Sequence, residues 1–175
     1  MAETKVLIGE EQVMEKVAEL AAILREEYKE KHPLVIGILK GSFIFMADLI
    51  RMMGIPVEIE FVGLSSYGKG ATESAGKIRV VQRLKTPVKG RHVLVIEDIV
   101  DTGLTIRFLL DYLKRKKPAS LKLCALLDKP SRRKIDVPID YLGFTVPNVF
   151  IVGYGIDWDE RFRYLRDVCF VEVKQ

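Results

Sequence analysis

The runs LVIGIL from Leu34, VLVI from Val93 and LKLCALL from Leu121 are hard to place anywhere but the inside of a sheet. A strand with one wet face alternates apolar and polar residues, whereas these runs scarcely alternate. They are far shorter than the roughly 20 residues that cross a bilayer. Each is therefore expected to be a strand buried on both faces, the habit of parallel strands covered by helices. Helical spacing lies between them. Val13, Val17, Leu20, Ala21, Leu24 and Tyr28 share one face of a helix expected over 10–31, ended by His32 and Pro33. FIFMADLIRMM follows Ser42 as an expected N-cap, and Gly54 closes it before Pro56. A further helix, beginning near Gly103, carries Ile106, Leu109, Leu110 and Leu113. With VEIEFVG and IRVVQRL as added strands, the alternation defines an α/β protein with a mainly parallel twisted sheet, helices on both sides and right-handed crossovers.

The 175 residues, 49% apolar and 30% charged, suit a single domain able to bury its own core. Its core is expected over about 34–130. After Asp128 only short strands such as IDYLGF and VFIVGYG appear, so a small hood or flap is expected from the N-terminal and C-terminal segments. The stretch LSSYGKGATESAGK at 64–77 reads either as a long flexible loop or as a hairpin with a mobile tip. Cys124 and Cys169 lie in apolar runs without metal-site spacing, so buried free thiols in a reducing cytoplasm are expected. The start, MAETKVLIGEEQ, has neither the basic residues nor the apolar stretch of a signal peptide, and nothing directs the chain to a membrane. The formal charge of +4 favours anionic partners. The basic runs KRKK and KPSRRK have no interleaved aromatics, so solvated surface or phosphate attraction fits them better than nucleic acid.

The segment VLVIEDIVDTGLT puts Glu97, Asp98 and Asp101 at the carboxyl end of an expected buried strand. In open parallel sheets that edge is where ligands bind. DTGLT then opens a helix, so the N–H groups of Thr102, Gly103, Leu104 and Thr105 lie at its N-terminus, where unpaired donors and the helix dipole make a phosphate cradle. Gly103 would let backbone approach a ligand closely, and the Thr102 and Thr105 hydroxyls add donors. Carboxylates repel phosphate, so Glu97 and Asp98 must serve another part of the ligand. Vicinal ribose hydroxyls, met directly or through Mg2+, suit acceptor-only groups. Capping alone would also explain acidic residues here. Neither G-x-x-x-x-G-K-[ST] nor a dinucleotide G-x-G-x-x-G is present.

VLVIEDIVDTGLT resembles the phosphoribosyl pyrophosphate (PRPP) motif of type I phosphoribosyltransferases. LKGSFIFMADLIR, SSYG, LLDKPSRR and VFIVGYGIDWDERFRYLRDV narrow the resemblance to the hypoxanthine-guanine phosphoribosyltransferases, over roughly 35–169. The resemblance implies that family's fold and a Mg2+-dependent purine salvage reaction. In it, PRPP and hypoxanthine, guanine or both give IMP or GMP and pyrophosphate in a cytoplasmic homodimer or homotetramer.

Carried over, Glu97 and Asp98 hold the ribose hydroxyls, and Asp101, Thr102, Gly103, Leu104 and Thr105 hold the 5′-phosphate. Asp101 also accepts the purine proton, a modest contribution for an ordinary carboxylate. Lys129 would donate to the purine 6-oxo group, Phe150 would stack on the ring, and Ile151 would offer backbone contacts. Asp157 would serve the purine site and Mg2+, with Glu97 and Asp98 as the other metal-side carboxylates. Lys40, Gly41 and Arg163 would meet pyrophosphate, with a cis peptide expected between Lys40 and Gly41. Ser66 and Tyr67 would belong to a closing lid. A xanthine-preferring transferase, an RNA-binding regulator with the same PRPP fold and a non-catalytic phosphate-binding module are the alternatives.

Overall fold

In the computed structural model, which describes residues 3–66 and 78–172, LVIGIL forms β2 (Leu34–Leu39) near the middle of a six-stranded sheet. Around it in chain order are β1 (Glu3–Ile8), α1 (Glu10–Tyr28), α2 (Phe43–Met53), β3 (Glu58–Ser66), β4 (Ile78–Gln82), β5 (His92–Val100), α3 (Leu104–Lys114) and β6 (Ser120–Asp128). A 3-10 turn (Pro130–Arg132) precedes β7 (Tyr141–Thr145), β8 (Ile151–Val152) and β9 (Val168–Glu172). The large sheet has the order β4-β3-β2-β5-β6-β7. Its pairings are parallel except that β4 returns antiparallel to β3.

Burial on both faces is visible residue by residue. Val35, Leu94, Ile96, Cys124 and Leu126 share a core with Val17, Leu24, Phe45 and Leu49 of α1 and α2. The intervening residues Leu34, Ile36, Val93, Val95, Leu123 and Ala125 pack with Leu109 and Leu113 of α3. Successive side chains leave opposite sides of a strand, so polar positions are excluded from 34–39, 93–96 and 123–127, while Lys122 lies just before the covered stretch and donates to Glu27 and the Tyr141 hydroxyl. Leu94→Ala is expected to cost about 2–5 kcal/mol and lower Tm by roughly 5–15 °C. Calorimetry checks this, and a shift below about 2 °C would mean the Leu94 site collapses without leaving a cavity.

Several local expectations are corrected. α1 stops at Tyr28 instead of reaching Lys31, with the Lys29 N–H bonded to the Arg25 carbonyl at 2.9 Å. Pro33 disfavours helix in the residue before it, and His32 takes φ 44°. Ser42 does not cap α2 with its side chain. It is helical itself, and its buried hydroxyl donates back to the Ile38 carbonyl at 2.6 Å. Gly54 does close α2, in a left-handed conformation. β3 and β4 pair antiparallel up to Ser66 opposite Ile78, while 67–77, where the long loop or hairpin tip was expected, lie outside the described residues.

A second sheet, β1-β9-β8, joins the two ends of the chain. β1 was not expected. Only Ile8 in it is buried, so ETKVLI lacks an apolar period, and the strand is held by antiparallel pairing with the distant β9. Ile8, Ile151 and Val168 join the same core as α1 and α2.

Candidate active site

The acidic tip of β5 is buried with its charges close together. Glu97 is 7% exposed and Asp98 9%. The Asp98 N–H donates to Glu97 Oε1 at 3.2 Å, and the Ile99 N–H donates to Asp98 Oδ1 at 2.9 Å. Burial, reinforced by the neighbouring Asp98 carboxylate, raises the Glu97 pKa well above the ordinary glutamate value. Across from the pair lies the loop after β2. A Cβ at Gly41 would overlap Asp98 Oδ2 and lie 2.7 Å from its Cγ, so the carboxylate fits only because position 41 has no side chain. The cis peptide of this loop joins Leu39 to Lys40, not Lys40 to Gly41. The motif marks the loop but not the turned peptide plane, because adjacent non-proline bonds are chemically alike.

Beyond Val100 the chain turns into α3 through Gly103, at φ 83°. The first helical bond runs from the Arg107 N–H to the Gly103 carbonyl at 2.9 Å, leaving the N–H groups of the preceding turn outside the helical ladder. Leu104 N–H meets only Thr102 Oγ1, at 3.4 Å. The space a Cβ would fill at Gly103 is taken by the Ile135 carbonyl, so the glycine admits the chain's own backbone. The Thr102 carbonyl accepts from Lys134 and Ile135 N–H at 2.9 and 3.2 Å. Arg133 adds a buckle, with Nε donating to the Asp101 carbonyl at 3.1 Å while Nη2 pairs with Asp128. Asp101 Oδ2 lies 3.3 Å from Arg132 Nη1, and its buried Oδ1 has no hydrogen-bond partner among the described residues.

Lys129 follows β6 directly and is 5% exposed. Its N–H bonds to the Val100 carbonyl at 2.9 Å, tying it to the cradle strand. Its Nζ donates to the carbonyl of Val149, the residue before Phe150, at 2.8 Å. Burial lowers the Lys129 pKa from the ordinary lysine value, with Asp101 opposing and Arg132 reinforcing the shift. Phe150 is 50% exposed and Trp158 39%. Their ring centroids are 5.7 Å apart and tilted by 59°, a favourable aromatic arrangement that leaves ring surface open. Ile151 differs from Phe150, since its side chain is buried in the core while its strand pairs with Phe170.

Asp157 is already engaged, accepting from the Glu160 N–H at 2.8 Å and pairing with Arg163 Nη2 at 2.8 Å. Arg163 Nη1 donates to the Gly155 carbonyl at 2.8 Å. Lys40 Nζ meets Glu160 Oε1 at 2.8 Å, so the loop after β2 reaches the 157–163 segment. Ser66 ends β3, and Tyr67 lies outside the described residues.

Contacts thus link Asp98 to the Gly41 loop, Asp101 to the Pro130–Arg132 turn, and Lys129 to Val149. Among the described residues no three His, Cys, Asp or Glu side chains gather as a metal cage, so Glu97, Asp98 and Asp157 do not make one protein-only site. The sequence reading missed the Asp128–Arg133 buckle, the Val149 carbonyl, Trp158 and Glu160. The arginines of KPSRRK were legible as charge, but no spacing rule shows which one turns inward.

The family described as the phosphoribosyl transferase domain matches residues 8–159, so fold and site define a phosphoribosyltransferase. The Bacillus subtilis hypoxanthine-guanine phosphoribosyltransferase is 48% identical over 161 residues, covering 92% of this chain and 89% of that protein. The Aquifex aeolicus protein of the same name is 47% identical over 169 residues, covering 96% of this chain and 94% of its own. A Bacillus anthracis hypoxanthine-guanine phosphoribosyltransferase crystal structure superposes with a TM-score of 0.90 at 44% identity, covering 98% of this chain and 100% of that one. The chain belongs to the hypoxanthine-guanine phosphoribosyltransferase family.

Proposed function

We propose that this chain transfers the 5-phosphoribosyl group of PRPP to N9 of hypoxanthine or guanine, giving IMP or GMP and pyrophosphate in purine salvage. The observation that carries the reading is Lys129, buried, with its ammonium on the Val149 carbonyl and its own backbone tied to the strand that feeds the phosphate cradle. A base-recognising donor and a sugar-phosphate site are thereby held on adjoining strand ends, the alignment that a two-substrate displacement needs.

In this reading the cradle from Asp101 to Thr105 binds the 5′-phosphate with its first-turn N–H groups. Glu97 and Asp98 face the ribose hydroxyls. The bond from C1′ to pyrophosphate breaks as the bond to N9 forms, and positive charge develops at C1′. Asp101 accepts the N–H proton of the purine through its unpartnered carboxylate oxygen. Lys129 donates to the 6-oxo group, Phe150 covers one face of the ring, and Ile151 and Asp157 border it. Lys40, Gly41 and Arg163 receive the departing pyrophosphate, and Ser66 and Tyr67 belong to the segment that shields C1′ from water.

The donor set suits Mg2+. Glu97 and Asp98 are adjacent, buried carboxylates whose mutual repulsion a cation relieves, and Mg2+ takes one or two carboxylates and completes its shell from water and substrate oxygens. When bound it neutralises pyrophosphate charge, with Asp157 as the third carboxylate on that side. Among the described residues no helix is long and apolar enough to cross a membrane. The free, buried Cys124 and Cys169 suit a reducing cytoplasm. Assembly as a homodimer or homotetramer belongs to the same proposal.

The direct test is a spectrophotometric assay of nucleotide formation with PRPP, Mg2+ and hypoxanthine, guanine or xanthine in turn. No product with hypoxanthine or guanine would end the reading. Asp98→Asn keeps the shape that fits against Gly41 but loses the charge. It is expected to raise KM for PRPP by about 10-fold or more with Tm nearly unchanged, because a charge-assisted hydrogen bond is worth roughly 1.5–3 kcal/mol. Unchanged PRPP turnover would remove Asp98 from the sugar site.

A further inference from the structure

Glu160 has no part in the reaction described above, yet the chain holds it in a demanding place. It lies in a two-residue turn closed by Trp158 and Arg161, whose N–H groups donate to each other's carbonyls at 3.2 and 3.1 Å. Both central residues are left-handed, Asp159 at φ 54° and Glu160 at φ 60°. Turns of this kind favour Asn-Gly, since a Cβ makes the left-handed region unfavourable. Such a conformation persists where the surroundings over-determine it. Here the paired backbone bonds of Trp158 and Arg161 and the bond from the Glu160 N–H to Asp157 Oδ2 at 2.8 Å do so, which aims the Glu160 side chain. Glu160 Oε1 accepts from Lys40 Nζ at 2.8 Å, and Oε2 accepts at 3.2 Å from Arg163 Nη2, which Asp157 Oδ1 also pairs with at 2.8 Å. One carboxylate thus bridges a cation from the loop after β2 and a cation from the segment before β9, one oxygen to each, as two oxygens of a phosphoryl group would.

We propose that Glu160 is the resident counter-ion of the pyrophosphate subsite: its carboxylate bridges Lys40 and Arg163 until the pyrophosphate group of PRPP displaces it. The inference rests on the function proposed above, which makes Lys40 and Arg163 the pyrophosphate cations. A glutamate is ordinarily charged at neutral pH, so the carboxylate competes there with an incoming anion for Lys40 and Arg163. The side chains of Lys40 and Glu160 are 64% and 62% exposed. Exposed pairs are weak, so Glu160 tempers affinity without blocking the subsite. It keeps Lys40 and Arg163 together between turnovers and reclaims them as pyrophosphate leaves. Glu160 is therefore a positioning residue.

Calorimetric titration of the full chain with inorganic pyrophosphate and Mg2+ tests this directly. Glu160→Gln is expected to tighten pyrophosphate binding by about 3- to 10-fold and to lower KM for PRPP by a similar factor, with KM for hypoxanthine unchanged. Glu160→Gly accepts the positive φ without strain and is expected to do the same, which removes misfolding as an explanation. A merely structural role would weaken binding. Unchanged or weaker pyrophosphate affinity in both variants, in a wild-type enzyme that forms IMP or GMP normally, would overturn the role of Glu160 alone. A wild-type chain that forms neither nucleotide would instead overturn the function on which it rests.

Discussion

Lys129→Ala is expected to lower kcat/KM for hypoxanthine and guanine by about 100-fold while leaving KM for PRPP within roughly threefold. The estimate comes from a hydrogen bond with a charged donor, worth roughly 1.5–3 kcal/mol, or about 10- to 150-fold. Burial supports the upper part of that range, because Lys129 is only 5% exposed and water replaces its hydrogen bond poorly. The change also orphans the Val149 carbonyl, which now accepts from Nζ at 2.8 Å. Adenine, which offers an amine where hypoxanthine offers an acceptor, is expected to gain relative to the natural bases. Steady-state kinetics with each base decides the matter, and equal losses toward base and PRPP would mean that Lys129 organises the site without reading the purine.

The same residue links activity to pH. Its folded-state pKa is below the ordinary lysine value because burial opposes the charge. Between the folded and unfolded pKa values the unfolded chain therefore binds more protons, and the Lys129 contribution to stability rises with pH across that alkaline window. Base recognition is lost over the same window as the ammonium deprotonates. Wild-type kcat/KM for hypoxanthine is expected to fall at lower pH than an ordinary lysine would dictate, and the Lys129→Ala profile should lack that limb.

Gly103→Ala is expected to raise KM for PRPP by at least about 10-fold and to lower Tm by roughly 5–10 °C. Ala at φ 83° costs about 1–2 kcal/mol, before its Cβ meets the Ile135 carbonyl. Relieving that overlap must separate Gly103 from 133–135, which strains the bonds from Lys134 and Ile135 to Thr102. For a chain of this length, 2–4 kcal/mol corresponds to about 5–10 °C. Thermal melting and PRPP kinetics together test the argument. A stable variant with normal PRPP affinity would mean that the cradle does not depend on its seam with 133–135.

Much of this architecture could be read from the chain because burial leaves a local record. A strand covered on both faces excludes polar side chains, so LVIGIL, VLVI and the LCALL of 123–127 announced themselves, and so did the helices with apolar residues at helical spacing. The acidic tip and DTGLT were legible for a similar reason, since strand end, carboxylates and helix start are contiguous in sequence. β1 was not, because its order comes from backbone pairing with residues at the other end of the chain, and backbone hydrogen bonds leave no mark on side-chain composition.

The sequence by itself determined the sheet's interior, the helix faces, the position of the acidic strand end and the family. Only the tertiary structure decided which distant groups meet there. It put Gly41 against Asp98, the Ile135 carbonyl in the space beside Gly103, Val149 on the Lys129 ammonium and Glu160 between Lys40 and Arg163. Each of these is an encounter between segments far apart in the chain. It depends on the three-dimensional path of the backbone, and local propensity and periodicity carry no information about that path.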